Sequence, residues 1–266
     1  MMLIKVGGGK GINWEGICRD LSEMAKNEKV ILVHGANATR DSLAARLGAP
    51  TKVVTSPRGV SSVYTDETAM DIFLMAYAGL MNKKIVAMLQ RYGINAVGLS
   101  GVDGKLWKAK HKKEILIKEK NKIKLLKGNL TGRVECINTA LINLLLENGY
   151  LPVICPPAIS DENEILNTDN DWAVAVMAEA LGIKKIISLF EAPGFLKNAE
   201  DENSVLNHIE KSRIDEYLKY ARKRMKKKVL GAKKAIEAGV ETIIWGDGRT
   251  ESPIKSVLSG KATVIS

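Results

Sequence analysis

A lysine followed by glycines near the amino terminus is the first group of residues that could do chemistry. Lys5 lies in the apolar stretch 3–6, and glycines occupy positions 7, 8, 9 and 11. Glycine lets backbone N–H groups approach an anion closely, so this loop could hold a phosphate. The loop is not a P-loop, because Gly9-Lys10 is followed by glycine instead of Ser or Thr. It is not a G-x-G-x-x-G dinucleotide loop either, because Trp14 stands at the last glycine position.

Two further groups of residues could bind a ligand. Asn167, Asp169 and Asp171 alternate just before a predicted helix, and Gly35-Ala36 follow an apolar run. The alternating side chains could cap the helix by accepting hydrogen bonds from its first N–H groups. They could instead contact a substrate and orient lysines around Mg²⁺-bound phosphates. Gly35 and Ala36 could likewise line a ligand or only form a turn.

Alternating strands and helices are predicted to position these residues. Apolar β-branched runs predict strands over 3–6, 30–33, 96–99, 151–154, 185–189 and 242–245. Helical patterns predict helices over 14–27, 66–92, 134–148, 171–181 and 212–238. Such alternation indicates a mainly parallel sheet with helices on both faces and ligands at the carboxyl ends of the strands. In a central strand Lys5 would be buried and would need an anionic partner; on a solvated strand face it would need none.

The composition is that of an ordinary globular protein, with 45% hydrophobic and 26% charged residues in 266. The longest weakly polar run, 150–159, is far shorter than the roughly 20 residues of a transmembrane helix, so we expect no membrane span. Lys5 interrupts the only apolar amino-terminal stretch, so we expect no secretory signal. Three scattered cysteines suggest neither a disulfide framework nor a metal site, and they fit a reducing cytoplasm. Three dispersed histidines do not indicate a catalytic metal cluster.

Much of the formal charge of +10 lies in one predicted β-hairpin and the segment that leads into it. Residues 114–126 contain two β-type runs around Lys120-Asn121, and from Lys105 to Lys127 ten lysines and one histidine stand against two glutamates. A nucleic-acid-binding surface would interleave aromatic residues with these cations, and only Trp107 is present. Two interpretations stay open: the solvated, lysine-rich surface of a heat-adapted protein, and a docking site for an acidic partner.

Several motifs, in their order and spacing, resemble the amino acid kinase family and specifically its acetylglutamate kinase branch. These motifs are KVGG at the start, VHGA after the second strand, NGYLPVICPPAIS followed by NTDND, and RMKKKVLGA near the end. Within the branch, GINAVGLSGVDG, TGRVE and the final GDGRTESPIKSVLSG are most similar to members that act on amino acids linked to the small acidic carrier protein LysW. The resemblance runs along nearly the whole chain.

The resemblance implies a three-layer α/β/α fold with a mainly parallel sheet and an inserted β-hairpin. Residues 1–163 would form the lobe for the carrier-linked amino acid, and residues 164–266 the ATP-binding lobe. The implied reaction uses ATP and Mg²⁺ to phosphorylate the side-chain carboxylate of LysW-linked 2-aminoadipate or glutamate, in lysine or arginine biosynthesis. The enzyme would be a cytoplasmic dimer joined through its long helix, with LysW docked on the basic hairpin around Lys108 to Lys127. An N-acetylglutamate kinase and a catalytically silent carrier-binding or sensor protein are the alternatives.

The same resemblance assigns roles to individual residues. Lys5 and Lys228 would stabilise the transferring phosphoryl group, and Asp171 would hold both lysines in place. The phosphate would be approached by the backbone of Gly7 and Gly8. The substrate-binding positions would be Gly35, Ala36, Ser62 and Asn167, with the N–H of Gly35 also offered to the phosphoryl group.

Two positions depart from the pattern of the branch. Its substrate loop carries an arginine for the α-carboxylate of the substrate, where this chain has Val63. Arg58 or Ser62 could take over that contact. In the nucleotide-side loop Glu191 stands where the branch has Asp or Asn, so we expect its contact with ATP to differ. Lys10 is the lysine that would contact the phosphates if the loop were a P-loop, and we expect it to be dispensable for activity.

Overall fold

Strands supply most of the framework of the computed structural model, which describes residues 1–57, 59, 61–119, 122–221 and 224–266. In chain order they are β1 Met2–Val6, β2 Val30–His34, β3 Val53–Thr55, β4 Ser61–Val63, β5 Ala96–Ser100, β6 Trp107–His111, β7 Glu114–Glu119, β8 Lys122–Lys127, β9 Gly132–Ile137, β10 Leu151–Cys155, β11 Ala158–Ile159, β12 Ile165–Leu166, β13 Lys185–Phe190, β14 Phe195–Leu196, β15 Val205–Leu206, β16 His208–Ile209, β17 Thr242–Asp247 and β18 Thr263–Ile265.

Helices connect most strands of the central sheet. The α-helices are α1 Trp14–Met24, α2 Asn37–Arg46, α3 Glu67–Leu74, α4 Asn82–Arg91, α5 Thr139–Glu147, α6 Asn170–Leu181, α7 Arg224–Glu237 and α8 Pro253–Leu258. A π-helical segment, Met75–Met81, joins α3 to α4, so one helical run extends over Glu67–Arg91. Shorter 3₁₀ segments cover Asp103–Lys105, Glu202–Ser204 and Lys211–Lys219.

The central sheet has eight strands in the order β16-β18-β17-β13-β1-β2-β10-β5. The pairs that join β17, β13, β1, β2, β10 and β5 are all parallel, and β18 runs antiparallel to β17. The carboxyl ends of β1 and β2 therefore lie side by side in the middle of the sheet. The predicted mainly parallel α/β architecture is confirmed.

Successive side chains of the strands point to opposite faces of the sheet and build two cores. On β1, Leu3 belongs to the core that contains Ala173 of α6 and Val229 of α7. Ile4 belongs to the core on the other face, which contains Ile17 of α1. Helices on both faces complete the three layers. Lys5 shares the face of Leu3, so its side chain points toward α6 and α7.

Most predicted elements are confirmed, and two helix predictions need correction. Residues 134–137, predicted as the start of a helix, belong to strand β9, which pairs antiparallel with β6. The helix begins only at Thr139, where the Asn138 side chain accepts a hydrogen bond from the Leu141 N–H. The helix predicted over 212–238 is divided into the 3₁₀ segment Lys211–Lys219 and α7, and residues 222–223 between them lie outside the described chain. Helix α2 was not predicted.

The helical run over Glu67–Arg91 corrects the expectation about apolar segments. By length and composition this run could cross a membrane, and the sequence interpretation overlooked it. Its buried residues Phe73 and Ile85 pack into hydrophobic cores of the domain. We therefore interpret it as a core helix of the domain.

The basic hairpin is confirmed as β7 and β8, which pair from Glu114↔Lys127 to Glu119↔Lys122. Its predicted turn, Lys120-Asn121, lies outside the described residues. The division into lobes at residues 163 and 164 stays a prediction. The central sheet is common to both proposed lobes, because β1 of the first pairs with β13 of the second.

Candidate functional site

Three charged side chains from distant parts of the chain meet beside the carboxyl end of β1. Lys5 Nζ lies 2.8 Å from Asp171 Oδ1, and Lys228 Nζ lies 3.4 Å from the same oxygen. Lys5 is 5% exposed and Lys228 is 9% exposed. The structure thus brings together the three residues assigned to catalysis, and it answers the open question about Lys5: the side chain is buried and has an anionic partner.

Each of the three residues is positioned by a different element. Lys5 is held in β1 between β13 and β2, opposite Ser188 and Val33. Asp171 lies in the first turn of α6, which is capped by Asp169 accepting a hydrogen bond from the Trp172 N–H.

Lys228 comes from α7, and its approach to Asp171 depends on a glycine one turn later. A Cβ at Gly231 would lie 2.9 Å from the backbone carbon, backbone oxygen and Cβ of Asp171. Glycine at this position therefore lets α7 pack closely against the start of α6. Lys228 Nζ also lies 4.6 Å from the centre of the Phe190 ring, a distance typical of a cation–π contact.

Burial and mutual attraction shift the three ionisation equilibria. Burial acts to raise the pKa of Asp171, but the charges of Lys228 and Lys5 outweigh it and hold that pKa well below its usual range. Burial acts to lower the pKa of Lys5, but Asp171 outweighs it, and the net shift is upward. For Lys228 burial prevails, supported by repulsion from Lys5, and its pKa falls to about 8. One carboxylate thus balances two cations, and the surplus positive charge suits an anionic ligand.

The glycine loops after β1 and β2 pack backbone against backbone. A Cβ at Gly8 would overlap the backbone of Gly35 and Ala36, and Gly8 O accepts a hydrogen bond from the Ala38 N–H at 2.8 Å. The Gly7 N–H donates to Leu189 O at 2.8 Å and the Gly35 N–H donates to Val6 O at 2.9 Å. These two amides are engaged with backbone carbonyls at the strand ends. The roles assigned to Gly7, Gly8 and Gly35 at a phosphate stay predictions.

Glu191 lies over the first glycine loop. A Cβ at Gly9 would overlap the Glu191 carboxylate, and a Cβ at Gly7 would lie 3.4 Å from Glu191 Oε2. This acidic side chain was singled out in the sequence only as a departure from the family pattern. The structure places it against the loop that directly follows β1, the strand that carries Lys5.

The residues assigned to the substrate lie at two positions in the fold, the start of α2 and the region of the β3–β4 hairpin. Ala36 is buried at the start of α2, and Asn167 Nδ2 donates a hydrogen bond to Thr65 Oγ1 at 2.9 Å. Ser62 lies in the β3–β4 hairpin, where it pairs with Val54. Arg58, the proposed substitute for the missing arginine, lies outside the described residues.

Two contacts around the site were missed in the sequence. Asn170 Nδ2 donates a hydrogen bond to His34 O at 3.0 Å, which ties the start of α6 to the end of β2. Lys227 Nζ lies 3.4 Å from Asp169 Oδ2, a second ion pair between α7 and α6. Asn170 directly precedes Asp171 in the NTDND motif, and Lys227 directly precedes Lys228 in the RMKKKV motif. The position of each beside an assigned residue was the signal in the sequence that could have identified it.

The arrangement suits a nucleotide phosphate better than a protein-bound metal ion. Two buried ammonium groups and a glycine loop complement the γ-phosphoryl group. Among the described residues no group of three or more His, Cys, Asp or Glu side chains could hold a metal ion. Mg²⁺ commonly binds through substrate phosphates and water with one or two carboxylates, and the Glu191 carboxylate lies against the glycine loop.

Comparisons with known proteins agree along the whole chain. The sequence pattern described as the amino acid kinase family matches residues 1–245. The chain is 46% identical to the LysW-aminoadipate kinase of Deinococcus radiodurans over 267 residues, which cover 100% of this chain and 91% of that protein. It is 43% identical to the LysW-aminoadipate kinase of Thermus thermophilus over 268 residues, with 100% of both covered. A solved N-acetylglutamate synthase from Neisseria gonorrhoeae shares the fold, with a TM-score of 0.81 at 19% identity, over 100% of this chain and 59% of that one.

Proposed function

The chain belongs to the amino acid kinase family, and from this premise we propose that it phosphorylates 2-aminoadipate whose amino group is linked to the carrier protein LysW. The γ-phosphoryl group of ATP passes to the side-chain carboxylate and forms an acyl phosphate. The observation that carries the proposal is the buried pair of lysines, Lys5 and Lys228, on one carboxylate of Asp171. The names and full-length identity of the two bacterial relatives support the substrate.

Phosphoryl transfer to a carboxylate requires cations and does not require a general base. The acceptor carboxylate, with an ordinary pKa of about 4.3, is already ionised at neutral pH and needs no proton removed. The barrier is the approach of one anion to another, and charge then spreads over the γ-phosphoryl oxygens. Lys5 and Lys228 would neutralise that charge from one side, while Asp171 fixes both ammonium groups.

ATP and Mg²⁺ are the proposed cofactors. Mg²⁺ that binds with the nucleotide would supply further positive charge to the transferring group. Lys5, Lys228 and the Gly8–Gly9 backbone would hold the phosphates, with the Glu191 carboxylate available to the metal ion.

We further propose that the hairpin β7–β8 docks LysW. Lys118 and Lys122 are exposed on it, and the apolar side chains Leu116, Ile123 and Leu125 are exposed beside them. A cationic surface with apolar side chains fits an acidic globular partner, and the charges chiefly accelerate encounter.

Salt dependence tests the docking proposal. Carrier association, measured by stopped-flow mixing, should slow steeply with ionic strength while ATP affinity changes little. The double variant Lys118→Glu/Lys122→Glu should slow association further. The double variant Lys26→Glu/Lys29→Glu makes the same change of charge at exposed positions away from the hairpin and should have a small effect. Carrier association that is independent of salt would exclude the hairpin as the docking surface.

We also propose a cytoplasmic homodimer built on the helical run over Glu67–Arg91. Its side chains Met75 and Leu80 are exposed although they are large and apolar, which supports contact with a second copy. All three cysteines are free thiols, in keeping with a reducing compartment. Sedimentation equilibrium tests the assembly, and a monomer at micromolar concentration would refute it.

The two alternative functions make different predictions in one assay. Hydroxylamine traps acyl phosphates, so product can be compared for LysW-linked aminoadipate, LysW-linked glutamate and free N-acetylglutamate with Mg-ATP. An N-acetylglutamate kinase would act on the free acetylated amino acid, and a catalytically silent sensor would yield no product. The intact arrangement of Lys5, Asp171 and Lys228 argues against a silent protein.

A further inference from the structure

A pocket of about 270 Å³ lies between α2 and α3, beneath the β3–β4 hairpin. Arg40 from α2, Val63 from β4 and Phe73 from α3 are among its lining residues. The pocket adjoins the glycine turn, because the Arg40 N–H donates to Ala36 O one helical turn earlier. It also adjoins Asn167, which bonds to the lining residue Thr65.

Arg40 is the buried cation of this pocket and is 8% exposed. Its Nε and Nη2 donate to Asp41 Oδ1 at 3.0 and 2.7 Å, and Thr51 Oγ1 donates to the same oxygen at 2.8 Å. Along the described part of the chain, Nη1 has no hydrogen-bond partner. A guanidinium group has five donors, so Asp41 uses only one edge of Arg40.

The proposed substrate has an anionic group that requires such a partner. When the amino group is linked to the carrier and the side-chain carboxylate accepts the phosphoryl group, the α-carboxylate is the remaining charge on the aminoadipate. Planar guanidinium groups match carboxylates well in partly desolvated sites. Lys52 is the other cationic lining residue in the described chain, and it is exposed. Asp66, which also lines the pocket, has its Oδ1 engaged by the Ala69 N–H at 2.9 Å.

We propose that Arg40 binds the α-carboxylate of the carrier-linked amino acid and thereby replaces the arginine that is missing at position 63. Val63 and Arg40 line the same pocket from two different elements, so an arginine at either position would carry its charge into the same space. This inference rests on the proposed function. It makes Arg40 a specificity-determining residue for the substrate.

Exchange of the charge between the two positions tests the proposal. Arg40→Gln should raise the KM for the LysW-linked substrate about tenfold or more, while the KM for ATP changes less than about twofold. Val63→Arg introduced into Arg40→Gln should restore most of the lost affinity, which a purely structural role of Arg40 would not allow. Arg46→Gln, an exposed change on the same helix, is the matched control and should keep the wild-type KM. If Arg40→Gln does not fold, Arg40→Lys, with and without Val63→Arg, serves for the same comparison.

The outcomes separate this proposal from the proposed function. A wild-type enzyme that forms no acyl phosphate from the LysW-linked substrate would overturn the proposed function, and the role of Arg40 with it. If the wild type is active, an unchanged KM in Arg40→Gln would overturn the role of Arg40 alone. So would an increased KM that Val63→Arg fails to lower.

Discussion

Replacement of Gly231 by alanine would show whether the spacing between α6 and α7 sets the geometry of the two lysines. The new Cβ would lie 2.9 Å from three atoms of Asp171, two of them in the backbone. Carbon atoms in favourable contact are about 3.5–4.0 Å apart, so the helices would have to separate by roughly 0.5–1 Å. Lys228 lies one turn away on the same helix, and its Nζ is already 3.4 Å from Asp171 Oδ1. The separation would therefore withdraw Lys228 from the site.

The expected effect on the rate follows from this displacement. A misplacement of about 1 Å in an active site can lower the rate about 10²-fold, which is about 2.7 kcal/mol of activation free energy. We expect kcat of Gly231→Ala to fall about 10- to 100-fold. Alanine has a higher helix propensity than glycine by about 1 kcal/mol, which offsets part of the strain and favours a folded variant.

Hydroxylamine trapping at saturating Mg-ATP and saturating LysW-linked substrate measures kcat, and circular dichroism measures the helix content. Gly79→Ala is the matched control, since a Cβ there would meet Leu74 O at an ordinary 3.7 Å. It should keep wild-type kcat. A kcat of Gly231→Ala within about twofold of wild type, in a protein of normal helix content, would refute the view that close helix packing positions Lys228.

The catalytic pair and its ionisation lead to further predictions. Lys5→Ala and Lys228→Ala should each lower kcat by about 10²–10³-fold in the trapping assay, because only one cation then faces the phosphoryl group. Lys10 is exposed, and the control variant Lys10→Ala should remain active. Near-normal turnover in both lysine variants would contradict their assignment. Because burial lowers the pKa of Lys228 to about 8 and the cationic form is the active one, kcat/KM should decline as pH rises through that value. A pH–rate profile still flat at about pH 9 would contradict the role of its charge.

Local patterns located six of the eight strands of the central sheet, because apolar β-branched runs mark β1, β2, β5, β10, β13 and β17. They left the environment of Lys5 open between a buried position and a solvated strand face, which the placement of β1 between β13 and β2 decides. Local patterns predicted a helix at residues 134–137, where the structure has a strand. The pairing of Val134 with Ala109 in β6 makes this segment a strand. Helix α2 begins with residues 37–42, in which Ala38 is the one apolar residue, and it therefore shows little helical periodicity in its apolar residues.

The site itself depended on the family resemblance and on contacts distant in sequence. No spacing rule joins Lys5, Asp171 and Lys228, which come from three separate elements. The engagement of the Gly7 and Gly35 amides follows from the register of β1 with β13 and β2, which a single sequence does not specify. Arg40 was missed for the same reason: its proximity to Val63 arises only when α2 and the β3–β4 hairpin pack together.

The central claim is that this kinase acts on a carrier-linked acid, and one competition measures it directly. Purified enzyme with Mg-ATP and hydroxylamine would be given equal concentrations of LysW-linked 2-aminoadipate and free N-acetylglutamate, and the two hydroxamates would be quantified by mass spectrometry. We predict that the hydroxamate forms on LysW and that product from N-acetylglutamate is negligible. Preferential formation of the N-acetylglutamate hydroxamate would contradict the account.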